Sequence, residues 1–445
     1  HGVAFHYGNM PSLLREGIEL AFRNGDLDYL CCTTTLFQGV NLPARNVFID
    51  TPTRGNKGEL LDEAELWNFA GRAGRLGEEV VGNVFLVNYE NWEEKLLTMR
   101  KPFQLKVAFK ETLENSFDAV LDLLEIAGSE SPDAKRKRAD ERTTAAAGLV
   151  LFRASQGNLS ALLGRGNIQL SNQQFEELGT SANGALKRLG LPASVLSNSW
   201  MIDPVALASL LKRIRELVRA EQFTKLIPTN PSLDAKNVYD SIVRRLFKQL
   251  GGVNLSGEEG RKSKSYVNHV TVTALKWMRG EPLTQIVSEA VKYKLTAFKQ
   301  SAKKKPEQAV VHGAIRDMFQ TIEQTIRFKL VQWAKAYVDL VKFALTEVGR
   351  TDLVEQVYDF SLALELGVST GTGRSLVEFG LSRISASAVA SLITDSSLTP
   401  DEVKAWLRSQ QEEMLSQLSP LIRTELRMKG LLPEEPQPQD GSGML

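Results

Sequence analysis

Arg72 and Arg75 stand close together in the run Asn68-Phe69-Ala70-Gly71-Arg72-Ala73-Gly74-Arg75-Leu76-Gly77. Positions i and i+3 share a face of a helix, so a helix through this run would aim both guanidiniums at one polyanion. The small residues between them let a backbone approach closely. A guanidinium is always charged and donates in a fixed fork, which suits a phosphoryl group gaining charge in a transition state. The plainer alternative is an arginine-rich helix end on a solvated face. A second run, Thr33-Thr34-Thr35-Leu36-Phe37-Gln38-Gly39-Val40-Asn41-Leu42-Pro43-Ala44, follows a strand pattern and gathers hydroxyls, backbone amides and a carboxamide. Such a loop can hold a phosphodiester backbone without reading bases; an ordinary strand-to-helix turn is the alternative.

The elements that must position these runs alternate between strand and helix. Val3 to His6, Asp28 to Thr33, Asn46 to Asp50 and Asn83 to Val87 read as strands. Pro11 to Arg23 has helical spacing, with Leu13, Leu14, Ile18, Ala21 and Phe22 on one face, and Asp62 to Ala73 reads as a second helix. Alternation of this kind predicts an α/β domain with a parallel, doubly wound sheet. Beyond Asn88 amphipathic helices dominate, at about 103–126, 143–156, 171–189, 203–221, 234–250, 266–301, 308–348, 351–366 and 374–394. Thr399-Pro400-Asp401-Glu402 has the composition of a capped helix start.

In order, the two runs resemble motifs V and VI of superfamily-2 helicases. The wording from Thr33 to Ala44 is similar to the superkiller-like DExH branch, which includes RNA-exosome helicases and archaeal DNA-repair helicases. Ala4-Phe5-His6-Tyr7-Gly8, then Arg15, Glu19 and Phe22-Arg23-Asn24-Gly25, resemble that branch's domain entry and motif IV region. The resemblance covers residues 1–98. It implies a RecA-like α/β domain followed by a mostly α-helical region, in an ATP-dependent helicase moving 3′ to 5′. Arg72 and Arg75 then match the arginines that reach the ATP γ-phosphate, Arg75 being the more typical finger. Gly39 and Asn41 couple nucleotide state to the strand and, with Asn68, Gly71 and Gly74, form this domain's share of the nucleotide site. Thr33, Thr34 and Thr35, with Gln38, touch the nucleic-acid backbone. The branch usually carries Gln where Asn68 stands, so the nucleotide contact there loses a methylene of reach.

Between the motifs, Gly55-Asn56-Lys57-Gly58 can turn a hairpin. DNA-unwinding members of the branch separate strands with a hairpin at this place. The expectation is a short pin bringing Arg54 and Lys57 to nucleic acid, with a plain surface loop as the alternative. Asp62-Glu63-Ala64-Glu65 imitates a DExx box but lies just before motif VI, and reads better as an acidic first helical turn. Gly260-Arg261-Lys262-Ser263 and Gly371-Thr372-Gly373-Arg374-Ser375 lack the ending and the preceding strand of a phosphate loop, and read as loops. A Walker A loop and a Mg2+-binding carboxylate motif are therefore expected on an upstream RecA-like domain, which would hold most of the ATP and Mg2+. The opening His1-Gly2-Val3 falls inside a strand pattern with no starting Met, so the chain reads as part of a longer protein.

The remaining expectations are broader. The 445 residues, 42% hydrophobic and 24% charged, suit a folded chain of several domains. The segments read as a second RecA-like domain (1–98), a connecting helix and charged linker (99–142), a helical domain for which a winged helix is one option (143–250), a helical bundle (251–429) and a disordered tail (430–445). A net charge of +1 means that any nucleic-acid surface is local. The basic clusters Lys135–Arg138, Arg261–Lys264 and Lys303–Lys305 could contact phosphates, or lie on solvated loops. Trp277, Phe298, Phe319, Phe328, Trp333, Tyr337 and Phe343 read as core, with base stacking the minority reading. Leu275-Lys276-Trp277-Met278-Arg279-Gly280-Glu281-Pro282-Leu283 resembles a segment of the bundle that lines the strand exit in this branch. The adjacent Cys31 and Cys32 read as a reduced core pair in a cytoplasmic protein. The dispersed histidines suggest no metal site, and no membrane span is expected. Partners implied are nucleic acid, single-stranded or with a 3′ overhang, and the upstream domain. The divergent helical part, without an obvious exosome-helicase arch, leans toward DNA and toward a setting such as bacterial DNA repair or antiphage defence. An RNA-decay helicase and a partner-docking helical module are the rivals.

Overall fold

The computed structural model describes residues 2–7, 10, 12–33, 42, 44–50, 53–54, 59–61, 63–74, 81–92, 108–128, 139–161, 168–256, 260–299, 306–410 and 415–433. The chain divides into two compact units, His1–Leu105 and Lys106–Leu445.

The first unit is α/β. Strand β1 (Val3–His6) leads to helix α1 (Ser12–Arg23) and then β2 (Tyr29–Cys32). β1 and β2 pair in parallel, with Phe5 opposite Cys31. α1 is tied to β1 by His6, whose Nε2 lies 3.0 Å from Glu19 Oε1, both side chains being buried. Strand β3 (Asn46–Ile49) pairs in parallel with β6 (Asn83–Leu86). Between them come the two-residue strands β4 (Thr53–Arg54) and β5 (Glu59–Leu60), then helix α2 (Glu63–Ala70). Val47 and Ile49 alternate with exposed residues along β3 and pack with Leu61, Leu66 and Trp92 into a small core. β1, β2, β3 and β6 therefore form where the apolar runs predict strands, each within a residue or two of its expected ends.

The second unit is helical. Its helices are α3 (Ala108–Asn115), α4 (Phe117–Gly128), α5 (Glu141–Ser155), α6 (Asn172–Leu189), α7 (Ala193–Ser199), α8 (Pro204–Arg219), α9 (Lys236–Gln249), α10 (Gly260–Met278), α11 (Leu283–Lys299), α12 (Glu307–Gln320), α13 (Val331–Glu347), α14 (Thr351–Val354), α15 (Phe360–Leu366), α16 (Gly371–Glu378), α17 (Arg383–Ala390), α18 (Pro400–Ser409) and α19 (Pro420–Met428). A π-helical stretch, Thr321–Leu330, joins α12 to α13. No strand lies among the described residues of this unit, so a winged-helix arrangement in 143–250 would rest on helices alone. One core runs from Leu113 to Leu364, and Tyr239, Tyr337 and Phe360 sit fully buried in it. The ring of Phe360 meets Tyr239 edge-on at 5.4 Å.

Three expectations change here. The helices expected at 103–126, 266–301, 351–366 and 374–394 are each two helices; Gly280 takes φ +77° with Pro282 after it between α10 and α11, and Gly380 takes φ +79° between α16 and α17. The supposed loops at Gly260 and Gly371 are instead first turns of α10 and α16, the latter capped by the Thr370 side chain on Gly373 N. Phe328 is exposed rather than core, whereas Trp277, Trp333 and Tyr337 are buried as expected. The Thr399 helix start forms its capping box with Glu402. The linker clusters 135–138 and 303–305 and the tail 434–445 lie outside the described residues.

Candidate functional site

α2 is held by Leu66, which is fully buried against β3. Its acidic start at Glu63 agrees with a helix terminus rather than a carboxylate motif on a strand. The helix ends at Ala70, earlier than the sequence pattern suggests. Gly71 N still reaches Trp67 O at 2.8 Å, but Arg72 N turns to Phe69 O at 3.0 Å and Ala73 N to Ala70 O at 3.0 Å. Gly74, at φ +90°, then leaves helical space. Arg72 therefore lies on a turn after the helix, not on the helix face that its spacing from Arg75 predicts.

That turn is fixed to the end of the other motif. Ala44 and Ala73 form a parallel bridge. Ala44 N donates to Arg72 O at 3.0 Å, and Gly74 N donates to Ala44 O at 2.8 Å. The residues that close the Thr33–Ala44 run and those that carry Arg72 are thus one piece of backbone. Asn83 N donates to Arg45 O at 3.0 Å, extending the stitch into β6. Gly82 makes this approach possible, since a Cβ there would fall inside the Ala73 carbonyl. Sequence reasoning missed Gly82; a glycine at a strand entry is the available signal for close backbone approach.

Of the other expected site residues, Thr33 ends β2, with its N–H donating to His6 O at 3.1 Å. β2 itself pairs with β1, the strand that the His6–Glu19 pair anchors to α1. That buried pair was also missed, although its two residues lie in the segments singled out in sequence. Asn68 is exposed on α2 and Arg72 is half-buried, while Gly71 and Gly74 occupy the turn. Thr34, Thr35, Gln38, Gly39, Asn41, Lys57 and Arg75 lie outside the described residues, as does the side chain of Arg54. The hairpin expected around Gly55–Gly58 has its two arms in place: β4 and β5 pair antiparallel, Thr53 opposite Leu60 and Arg54 opposite Glu59.

The cysteine pair departs from its expected place in the core. Cys31 is exposed, and Cys32 is half-buried. Burial, and then the neighbouring Cys31, push the Cys32 thiol up to about 11. The Cys32 thiol is therefore not an activated nucleophile. No described helix is long and apolar enough to cross a membrane.

Residues 1–77 match the helicase conserved C-terminal domain. The chain is 43% identical over 88 residues to the ATP-dependent DNA helicase Hel308 of Aeropyrum pernix, covering 19% of this chain and 12% of that protein. It is 34% identical over 120 residues to a Helicase POLQ-like protein of Caenorhabditis elegans, covering 26% of this chain and 13% of that one. It is 33% identical over 131 residues to the antiviral helicase SKI2 of Saccharomyces cerevisiae, covering 28% of this chain and 10% of that one. The chain thus spans only a small share of the length of these relatives. The residues that the domain model matches carry the Ala44–Ala73 bridge, the Arg72 turn and the β1–β2 and β4–β5 pairs described above, and the fold is a RecA-like α/β domain followed by a mostly α-helical region.

Proposed function

We propose that this chain is the C-terminal part of an ATP-dependent nucleic-acid helicase that moves 3′ to 5′ along one strand. The observation that carries the reading is the backbone stitch between Ala44 and the Arg72–Gly74 turn. A loop that holds phosphodiester and a turn that presents guanidiniums cannot move independently when two hydrogen bonds join them. Nucleotide state at one end is then felt by the strand at the other. In this reading Arg72 and Arg75 complete an ATP site whose Walker loop and Mg2+ ligands lie on an upstream RecA-like domain. Gly39, Asn41, Asn68, Gly71 and Gly74 complete this domain's side of that site. Fixed positive charge at a developing phosphoryl charge lowers the barrier without reorganisation. Thr33, Thr34, Thr35 and Gln38 take the strand backbone, and the β4–β5 hairpin, with Arg54 and Lys57, stands where strands would part.

The test uses a protein that includes the upstream domain. Arg75→Ala is expected to abolish nucleic-acid-stimulated ATP turnover, and unchanged turnover would refute the assignment. DNA is favoured over RNA, because the similarity includes proteins named as DNA helicases and DNA polymerases. Competition between single-stranded DNA and RNA of the same sequence decides it. A DNA-repair or defence setting follows from the same preference. The large helical core also suits a partner-docking module; a pull-down with residues 106–445 would capture a specific subunit in that case.

A further inference from the structure

A cleft of about 780 Å3 opens in the helical unit between α10, α11 and the continuous α12–π helix. Its existence follows from how little α11 buries. Of the 17 residues from Leu283 to Lys299, only Ile286 is buried, whereas a helix packed on a core buries a stripe along its whole length. α11 is therefore thinly packed: it is tied to α12 through Lys294–Asp317 and Lys299–Glu307, with a cleft left open toward α10. The floor left between them is apolar, formed by Val272, Ile286, Ala290, Ala314 and Met318.

The rim is polar and partly self-satisfied. Lys276 on α10 pairs with Glu289 on α11. Lys294 Nζ lies 3.6 Å from Asp317 Oδ2, closing α11 onto α12. Tyr266 Oη lies 3.1 Å from Thr325 Oγ1, joining α10 to the π stretch. Once these pairs are formed, the Lys262 ammonium on the α10 wall has no carboxylate partner among the described residues, and the His269 ring lies on the same wall. His269 is held below the usual histidine range, first by the surrounding helices and then by the Lys294 ammonium, with Asp317 opposing. A neutral ring there offers one donor and one acceptor. At the edge Tyr293 is 72% exposed, an aromatic face with no core to pack against. The carboxamides of Asn268 and Gln324 also reach the cleft and can pair with a heterocycle's edge.

We propose that this cleft binds a free mononucleotide, its base over the apolar floor beside Tyr293 and its phosphate toward Lys262 and His269. Apolar floor, exposed aromatic edge, amide groups and an uncommitted cation are the four needs of that ligand class, and the volume falls in the range of small-molecule sites. Lys262 belongs to the Gly260–Ser263 run, which is no Walker loop but the first turn of α10. The cleft belongs to the helical unit and Arg72 to the α/β unit, and the proposal does not rest on the motor reading.

The test is titration calorimetry of this chain with AMP, with adenosine and inorganic phosphate as part-ligands and a short oligothymidylate as a strand. AMP is expected to bind one-to-one, and each part-ligand more weakly. Lys262→Glu and Tyr293→Ala, both at exposed positions, are each expected to weaken AMP by about tenfold or more without moving the melting temperature. Arg72→Ala is expected to leave AMP binding unchanged, which separates the cleft from the helicase site. Absence of saturable AMP binding up to about 1 mM overturns the proposal. So does binding that is lost in Arg72→Ala and kept in Lys262→Glu, or binding confined to the oligothymidylate.

Discussion

The two units solve opposite problems. The helical unit buries one long core, in which Tyr239, Tyr337 and Phe360 have no exposed surface. The described α/β unit gathers a core of five buried residues around β3 and α2, and leaves Phe5, Tyr29, Phe48 and Phe85 open on its strands. Phe48 and Phe85 even stack on one another, at 4.7 Å, on an exposed face. A parallel sheet ordinarily has both faces covered. The first unit therefore draws its definition less from apolar burial than from backbone bonds: the Ala44–Ala73 bridge, the β4–β5 pairing and the His6–Glu19 contact. The difference teaches that stability and chemistry are separated along this chain. Packing dominates in the helical unit, and the two runs proposed to act on nucleotide and strand lie where backbone geometry dominates.

The sharpest way to break that comparison is to damage each unit by its own means. Phe360→Ala empties a site at the centre of the helical core and is expected to cost about 3–5 kcal/mol, read as a large drop in the melting temperature. A loss well below 1 kcal/mol would mean that the core collapses freely and does not set stability. Thr399→Ala removes a capping-box side chain from α18 and is expected to cost about 1 kcal/mol, read by the same melt. The smallest effect belongs to the α/β unit. The Cys32 thiol stays protonated up to about 11 in the folded chain, against 9.0 in the unfolded one. Between those values the unfolded chain has lost its proton and the folded chain has not, so this contribution to stability falls as pH rises. At neutral pH Cys31 is expected to alkylate before Cys32; simultaneous labelling would contradict the burial difference.

Much of this was legible in the residue order, for identifiable reasons. Strands β1, β2, β3 and β6 follow short apolar runs rich in Val, Phe and Leu, and the capping box at Thr399 is a purely local pattern. Breaks inside long helical patterns were harder to see. Gly280 and Pro282 divide α10 from α11, while the π stretch leaves 307–347 continuous, and amphipathic spacing alone does not distinguish the two outcomes. At the site, residue types pointed to the motifs, but the geometry depended on long-range backbone contacts. Nothing between Ala44 and Ala73 in sequence announces that they bridge, and Gly82 matters only because Ala73 lies against it. Phe328 shows the converse limit: its helical spacing resembles that of Trp277 and Trp333, yet its side of the π stretch faces solvent.

The account stands on the stitch between the two motif ends, and Gly82→Val attacks it directly. A side chain at Gly82 must displace the Ala73 backbone. In a protein that includes the upstream domain, ATP turnover is measured with and without saturating single strand. The expected result is that basal turnover persists while stimulation by the strand is lost, with the melting temperature of the helical unit unchanged. Full stimulation in Gly82→Val would contradict the claim that this backbone bridge couples strand to nucleotide.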